Sequence, residues 1–444
     1  MKNLLHAVLV LCAMALSLQL KDPHLLFLRT YETPLLIALA LLGILVALRA
    51  VIRSDKQQWG FLISWLLVLS IVTYSEYTFQ RQKHFALNAD SKAGNEDVQR
   101  LRQVGAHLIV GYEHSADIRQ LVQQGFVAGL FVTRRNVQGK SFQQIQAELS
   151  HLQDLRHQAS LQPLLIATDQ EGGVVSRLSP PLPQQPPLAS SLPTGIPQAQ
   201  IIERATAYAL AQAKPLAALG INLNFSPVLD LKPAQASSSM DFHTQIVKRA
   251  IAADAEIVTQ AGLAYSRALL SQGVLPTLKH FPGLGSVSDD THHFSARLHL
   301  PLTTLQQHDW RPFRHLLSQT PALLMVAHVV VDAIDPDLPA SLSHKLITDI
   351  VRKDWQHDGI LITDDMSMGA VYNLGLCPSS IRALNAGIDL LLIAYDWEKV
   401  YPVLDCLQAA QQSGQLKTLQ SSQARLQQLP WKNAKIGFQK AATQ

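Results

Sequence analysis

From about residue 100 onward the chain repeats one pattern, an apolar run of strand length followed by a longer stretch with helical spacing. Eight runs recur: "HLIVGY" (107–112), "GLFVTRR" (129–135), "PLLIATDQEGG" (163–173), "INLNFSPVLD" (221–230), "VLPTLKHFPG" (274–283), "ALLMVAHVVV" (322–331), "GILITDD" (359–365) and "IDLLLIAYD" (388–396). Between them lie helix candidates such as 141–158 and 243–273. Strands that alternate with helices make a parallel sheet, and strands apolar almost throughout need cover on both faces. Eight such units over roughly 300 residues predict an α/β fold, a (β/α)8 TIM barrel, in a domain spanning 95–440.

The polar residues support this architecture. Nearly every run starts apolar and ends polar, with Arg134 and Arg135, Asp169 and Glu171, Asp230, Lys279 and His280, His328, Asp364 and Asp365, and Asp396 at the ends. A barrel carries its active site there, on the loops after the strands. A single strand-end carboxylate can equally cap the next helix, but a series along the barrel marks a mouth. The proline-rich 179–197 sits between the third and fourth runs and reads as a long loop over that mouth.

Ahead of the barrel, residues 1–80 hold three apolar stretches, 4–20, 33–52 and 61–74. A bilayer takes about 20 apolar residues, which the second supplies and the others approach. A signal peptide would not be followed so soon by a second span, so three retained transmembrane helices are expected. Arg49, Arg53 and Lys56 lie between the second and third stretches, whereas Lys21 and Arg29 lie between the first and second. That bias puts the N-terminus in the cytoplasm and everything after residue 80 outside, on an inner or cytoplasmic membrane. The formal net charge of +4 over 444 residues is small, and Lys and Arg are scattered, so no nucleic-acid partner is expected. Cys377 and Cys406 make at most one pair.

"KHFPGLGSVSDDTHH" (279–293) gathers titratable groups on the loop after the fifth strand. A histidine beside a carboxylate suits a general acid, because the carboxylate raises the imidazole pKa and fixes its tautomer. Asp290 and His292 could form such a dyad. Asp289, Asp290, His292 and His293 also offer ligands for Zn²⁺, but no H-x-x-x-H or H-E-x-x-H spacing accompanies them, and no metal or cofactor is expected. A plain solvated loop is the remaining reading. At the end of the seventh strand Asp364 is the final inward-pointing candidate, and a carboxylate facing an anomeric carbon can form a glycosyl-enzyme. Asp365 points elsewhere by alternation, as a helix cap or support.

In order, "ATDQEGG", "NFSPVLDL", "KHFPGLGSVSDDTHH", "MVAHV", "DLPASLS" and "GILITDDMSMGAV" resemble the bacterial single-barrel β-N-acetylhexosaminidases of glycoside hydrolase family 3, enzymes of peptidoglycan turnover. The resemblance implies a retaining exo-glycosidase acting on a carbohydrate substrate, a cell-wall glycan or muropeptide. Asp364 would be nucleophile, His292 with Asp290 the acid/base dyad, and Asp169, Lys279 and His280 the partners of the sugar's hydroxyls. A carboxylate accepts from hydroxyls while Lys and His donate. Leu284 and Val174 depart from the family's "KHFPGHG" and "EGGRV", and an arginine expected after strand four has no counterpart in 237–245. Two other readings remain at this level: a phosphorylase, and a silent glycan-binding scaffold lacking that arginine.

Overall fold

The computed structural model describes residues 2–18, 29–52, 58–88, 95–233, 245–287 and 296–429. The chain divides into two compact units, Met1–Asn88 and Ala89–Gln444.

The first unit holds three helices, α1 (Lys2–Leu18), α2 (Arg29–Ile52) and α3 (Gln58–Leu87). Small residues let them approach: Ala40, Gly43 and Ala47 fall on one face of α2, and a Cβ at Gly43 would collide with the Trp65 ring of α3. Val10, Ala13, Leu36, Ala40, Trp65, Val68 and Val72 form the core. The Trp65 indole N–H donates to His6 Nε2 at 2.6 Å, and the His6 ring stacks on Phe61. The opposite faces are apolar too, with Leu41, Leu42, Leu45, Ile63 and Leu66 exposed. Tyr31–Ile52 and Trp59–Leu87 are long and apolar enough to cross a membrane, and α1 contributes the shorter apolar helix His6–Ser17. The third stretch is thus longer than the expected 61–74, because no Gly or Pro interrupts the polar residues that continue it.

In the second unit all eight apolar runs are strands of one closed, parallel barrel. They are β1 (Leu108–Val110), β2 (Gly129–Phe131), β3 (Leu165–Thr168), β4 (Leu223–Asn224), β5 (Leu275–Phe281), β6 (Leu323–Val326), β7 (Leu361–Asp365) and β8 (Leu390–Ile393). Each pairs with its neighbours in sequence, and β8 closes on β1 through Leu108 opposite Leu391. The interior is packed rather than open: Ile109, Phe131, Leu165, Leu223, Leu275, Leu323, Ile362 and Leu390 fill it, and Leu426 and Leu429 join the same cluster.

The helices that position the site are α4 (Phe142–Gln158), α5 (Gln198–Leu219), α6 (Ala255–Ser271), α7 (Leu376–Ala386) and α8 (Val400–Gln412). Ser141 caps α4 by accepting from the Gln144 N–H, as the S-x-x-Q spacing foretells. The continuous helix expected over 243–273 is two pieces, a short turn Ile246–Arg249 and then α6. Asp254 breaks the run, its carboxylate accepting from the Glu256 N–H to start α6 afresh. A disulfide joins Cys377 of α7 to Cys406 of α8, with their Cα atoms 5.8 Å apart.

Candidate active site

Strand alternation carries three charged side chains into the barrel mouth. On β3, Leu165 and Ala167 face the interior and Asp169 is next in that series. On β5, Leu275 faces inward and the same period reaches Thr277 and then Lys279. On β7, Ile360 and Ile362 face inward and Asp364 follows.

Around Lys279 runs a chain of ion pairs. Its ammonium contacts Asp169 at 2.5 Å and Glu171 at 2.7 Å. Glu171 also takes a bidentate pair from Arg249, Nε at 2.9 Å and Nη2 at 2.6 Å. Burial alone would push the Glu171 carboxyl up, but Arg249 and Lys279 outweigh it and hold the group at about 2. The same Arg249 Nη2 lies 3.1 Å from His280 Nε2, and His280 Nδ1 lies 2.6 Å from Asp230 Oδ2. A guanidinium only donates, so Nε2 accepts and the Nδ1–H donates to Asp230. Both ring nitrogens of His280 are therefore engaged within the protein.

Arg249 brings an arginine to this cluster from outside 237–245. It lies four residues further on, at the end of the short turn before Asp254, where a helical reading of 243–273 hides it. Arg177 was missed as well. Its backbone N–H donates to the Asp169 carbonyl at 3.0 Å, and its Nε is buried without a hydrogen-bond partner among the described residues. Arg177 directly follows the hairpin after β3 and Arg249 ends a short turn, both outside the barrel strands; closeness to the Asp169–Glu171 carboxylates could have pointed to Arg177, whereas no neighbouring residue in the sequence marks Arg249.

The loop after β3 is a short hairpin, Gln170–Gly172 with Val175–Ser176. The proline-rich segment folds back on it: Gly173 N–H donates to the Gln185 carbonyl at 2.8 Å, and Tyr208 of α5 donates to the Pro186 carbonyl at 2.6 Å. Val174 stands 51% exposed at the hairpin turn, so the departure from arginine leaves an apolar residue on the rim. Leu284, in contrast, is buried, and its N–H donates to Asp230 Oδ1 at 2.7 Å.

Asp364 is partly exposed, and its Oδ1 accepts from the Asp365 N–H at 2.8 Å. Asp365 is buried and turned away toward β8, accepting from Ala394 N–H at 3.0 Å and Tyr395 N–H at 3.2 Å. It supports the strand ends and also accepts from Ser367. Asp290 and His292, with Asp289 and His293, lie outside the described residues.

A closed barrel whose mouth combines partly exposed carboxylates with a lysine and two arginines is the scaffold of an enzyme that grips a polyhydroxylated substrate. The glycosyl hydrolase family 3 N-terminal domain matches residues 95–429, and the chain belongs to that family. It is similar to the Beta-hexosaminidase of Xanthomonas oryzae pv. oryzae (strain MAFF 311018), 34% identical over 292 residues that cover 65% of this chain and 82% of that protein. The Beta-hexosaminidase of Stenotrophomonas maltophilia (strain K279a) is 32% identical over 290 residues, with the same coverage of both chains. Among solved structures, a glycoside hydrolase family 3 beta-N-acetylglucosaminidase from Paenibacillus sp. str. FPU-7 matches with TM-score 0.67 and 29% identity, over 76% of this chain and 62% of that one. A family 3 glycosyl hydrolase from Mycobacterium smegmatis matches with TM-score 0.64 and 31% identity, over 73% and 95%. The chain is a glycoside hydrolase of the beta-hexosaminidase kind.

Proposed function

We propose that this chain is a membrane-anchored, retaining exo-β-N-acetylglucosaminidase that works on peptidoglycan-related glycans outside the cytoplasmic membrane. Asp364 is its nucleophile, and His292 with Asp290 its acid/base dyad. The observation that carries the reading is the contrast between two adjacent carboxylates: Asp365 is buried and spent on backbone N–H groups, whereas Asp364 continues the inward series and is partly open to the mouth. The ion-pair chain on β3 to β5 then serves the sugar hydroxyls, with Lys279 and Asp169 at the open end.

Two features support the location. Two apolar helices long enough to cross a membrane lie ahead of the barrel, with the shorter α1 before them; counted as three spans behind a cytoplasmic N-terminus, they favour an external barrel. Independently, the Cys377–Cys406 disulfide belongs to an oxidising compartment rather than the cytosol. Fusing alkaline phosphatase to the C-terminus tests this, since the enzyme is active only after export; an inactive phosphatase alongside a fluorescent cytoplasmic reporter would place the barrel inside.

The chemistry is tested with a chromogenic N-acetyl-β-D-glucosaminide. Asp364→Ala should abolish turnover, and azide should restore part of it with inverted product, because the small anion replaces the missing carboxylate. Activity of Asp364→Ala within tenfold of wild type removes Asp364 from the role. His292→Ala should lose roughly 10²- to 10⁴-fold, more with poor leaving groups than with activated ones. Equal losses for both leaving-group classes would reduce His292 to a binding residue. Product analysis on defined muropeptides, with and without phosphate, checks the substrate and the hydrolytic outcome together.

A further inference from the structure

His328 is fully buried two residues beyond β6. Its Nδ1 lies 2.7 Å from the Ser341 hydroxyl and its Nε2 3.1 Å from the Asp365 carbonyl oxygen. A carbonyl only accepts, so Nε2 carries the hydrogen and Nδ1 accepts from Ser341. Asp365 is thereby gripped on all sides. His328 holds its C=O, and its N–H is on Asp364 Oδ1. Its Oδ1 takes the Ser367 and Ala394 N–H groups at 3.1 and 3.0 Å, and its Oδ2 the Ser367 hydroxyl and Tyr395 N–H at 2.7 and 3.2 Å. Sheet pairing alone does not supply this restraint, because the β7–β8 register slips between Ile362 and Asp365.

We infer that His328 and Asp365 are positioning residues: through the Asp365 backbone they fix where the Asp364 carboxylate meets the anomeric carbon. This rests on Asp364 being the nucleophile. Ser341 belongs to the same device, since its hydroxyl keeps the Nδ1 side of the ring an acceptor.

The test uses the full-length protein in detergent, with 4-nitrophenyl N-acetyl-β-D-glucosaminide for kcat and KM. Covalent labelling by 5-fluoro-N-acetylglucosaminyl fluoride, followed by intact mass, reads the attack step directly. His328→Leu should lower kcat and the maximal labelling rate roughly 10- to 100-fold, as a carboxylate displaced by an ångström or less would. KM and the half-saturating label concentration should stay within threefold. His328→Gln, which keeps an N–H donor toward the Asp365 carbonyl, should recover most of the loss. A His328→Leu enzyme with wild-type kcat, or one whose loss falls in KM, overturns the inference, and so does a Gln variant no better than Leu. If His328→Leu shows no cooperative melt, Ser341→Ala decides: a three- to tenfold fall in kcat at constant KM is expected, and an unchanged kcat overturns the inference. Asp364→Ala separates the two levels. Persistent labelling of that variant removes the nucleophile itself, whereas a dead Asp364→Ala beside a normal His328→Leu removes only the positioning role.

Discussion

Arg249 holds together groups that three separate segments supply: Glu171 from the hairpin, His280 from β5 and, through that ring, Asp230 after β4. Replacing it with Ala leaves Glu171 with Lys279 as its remaining cation, and breaking a buried pair in this way costs about 3–5 kcal/mol. The pH dependence has a definite sign. Glu171 now stays ionised down to about 2, so its contribution is complete above the ordinary carboxylate range and is lost only as pH falls toward that value. Arg249→Ala should raise the Glu171 pKa and move the acid limb of kcat/KM upward; a limb that stays in place between pH 4 and 7 would dissociate Glu171 from the site. Asp309 behaves in the opposite way. It is buried against Gly283, and burial, with Asp230 adding, pushes it up to about 6. Ionising it therefore costs stability that is absent below its unfolded pKa and complete above about 6, roughly 3 kcal/mol at 1.36 kcal/mol per unit. Asp309→Asn should melt with wild type at pH 4 and above it at pH 8. A melting difference that does not widen with pH would count against the shift.

Among the elements, the barrel strands were the most legible part of the chain, because each is a short apolar run bounded by polar residues and the burial on both faces leaves no competing pattern. Asp169, Lys279 and Asp364 could be read from the same period of two. What could not be read were the pieces that depend on long-range partners. The break at Asp254 is masked by the apolar spacing of "IVKRAIAADAEIV", so Arg249 falls within what reads as one continuous helix. Likewise the hairpin after β3 is too short to show a period, and Arg177 went unnoticed in it. The segment after β5 is tied by geometry that a single methyl group tests. A Cβ on Gly285 would come within 2.1 Å of the Leu231 carbonyl oxygen, a contact that backbone on both sides must resolve. Gly285→Ala should pull Leu284 from Asp230 and cut kcat/KM at least tenfold, as misplaced site geometry does; unchanged kinetics would show that this junction tolerates movement.

For the whole molecule, the disulfide tests the proposed location independently of the apolar helices. The bridge spans 29 residues and, in the loop-entropy account, stabilises the barrel by about 3–4 kcal/mol. Protein from intact cells, denatured and treated with a maleimide polymer, should show one added mass, at Cys12, and three after reduction. Three additions without reductant would place the barrel in a reducing compartment. Around the barrel the charged groups of the mouth fall into two sets on different strands. β3 to β5 and their loops carry the ion-pair chain and, in the proposed reading, the acid/base dyad, whereas β6 to β8 carry Asp364 and the groups that grip its neighbour. The closed sheet fixes the span between these halves without making either depend on the other's side chains. Heritable change can then act on them separately: a lineage can trade Val174 on the hairpin after β3 for another residue while the strand ends that hold Asp364 are inherited intact.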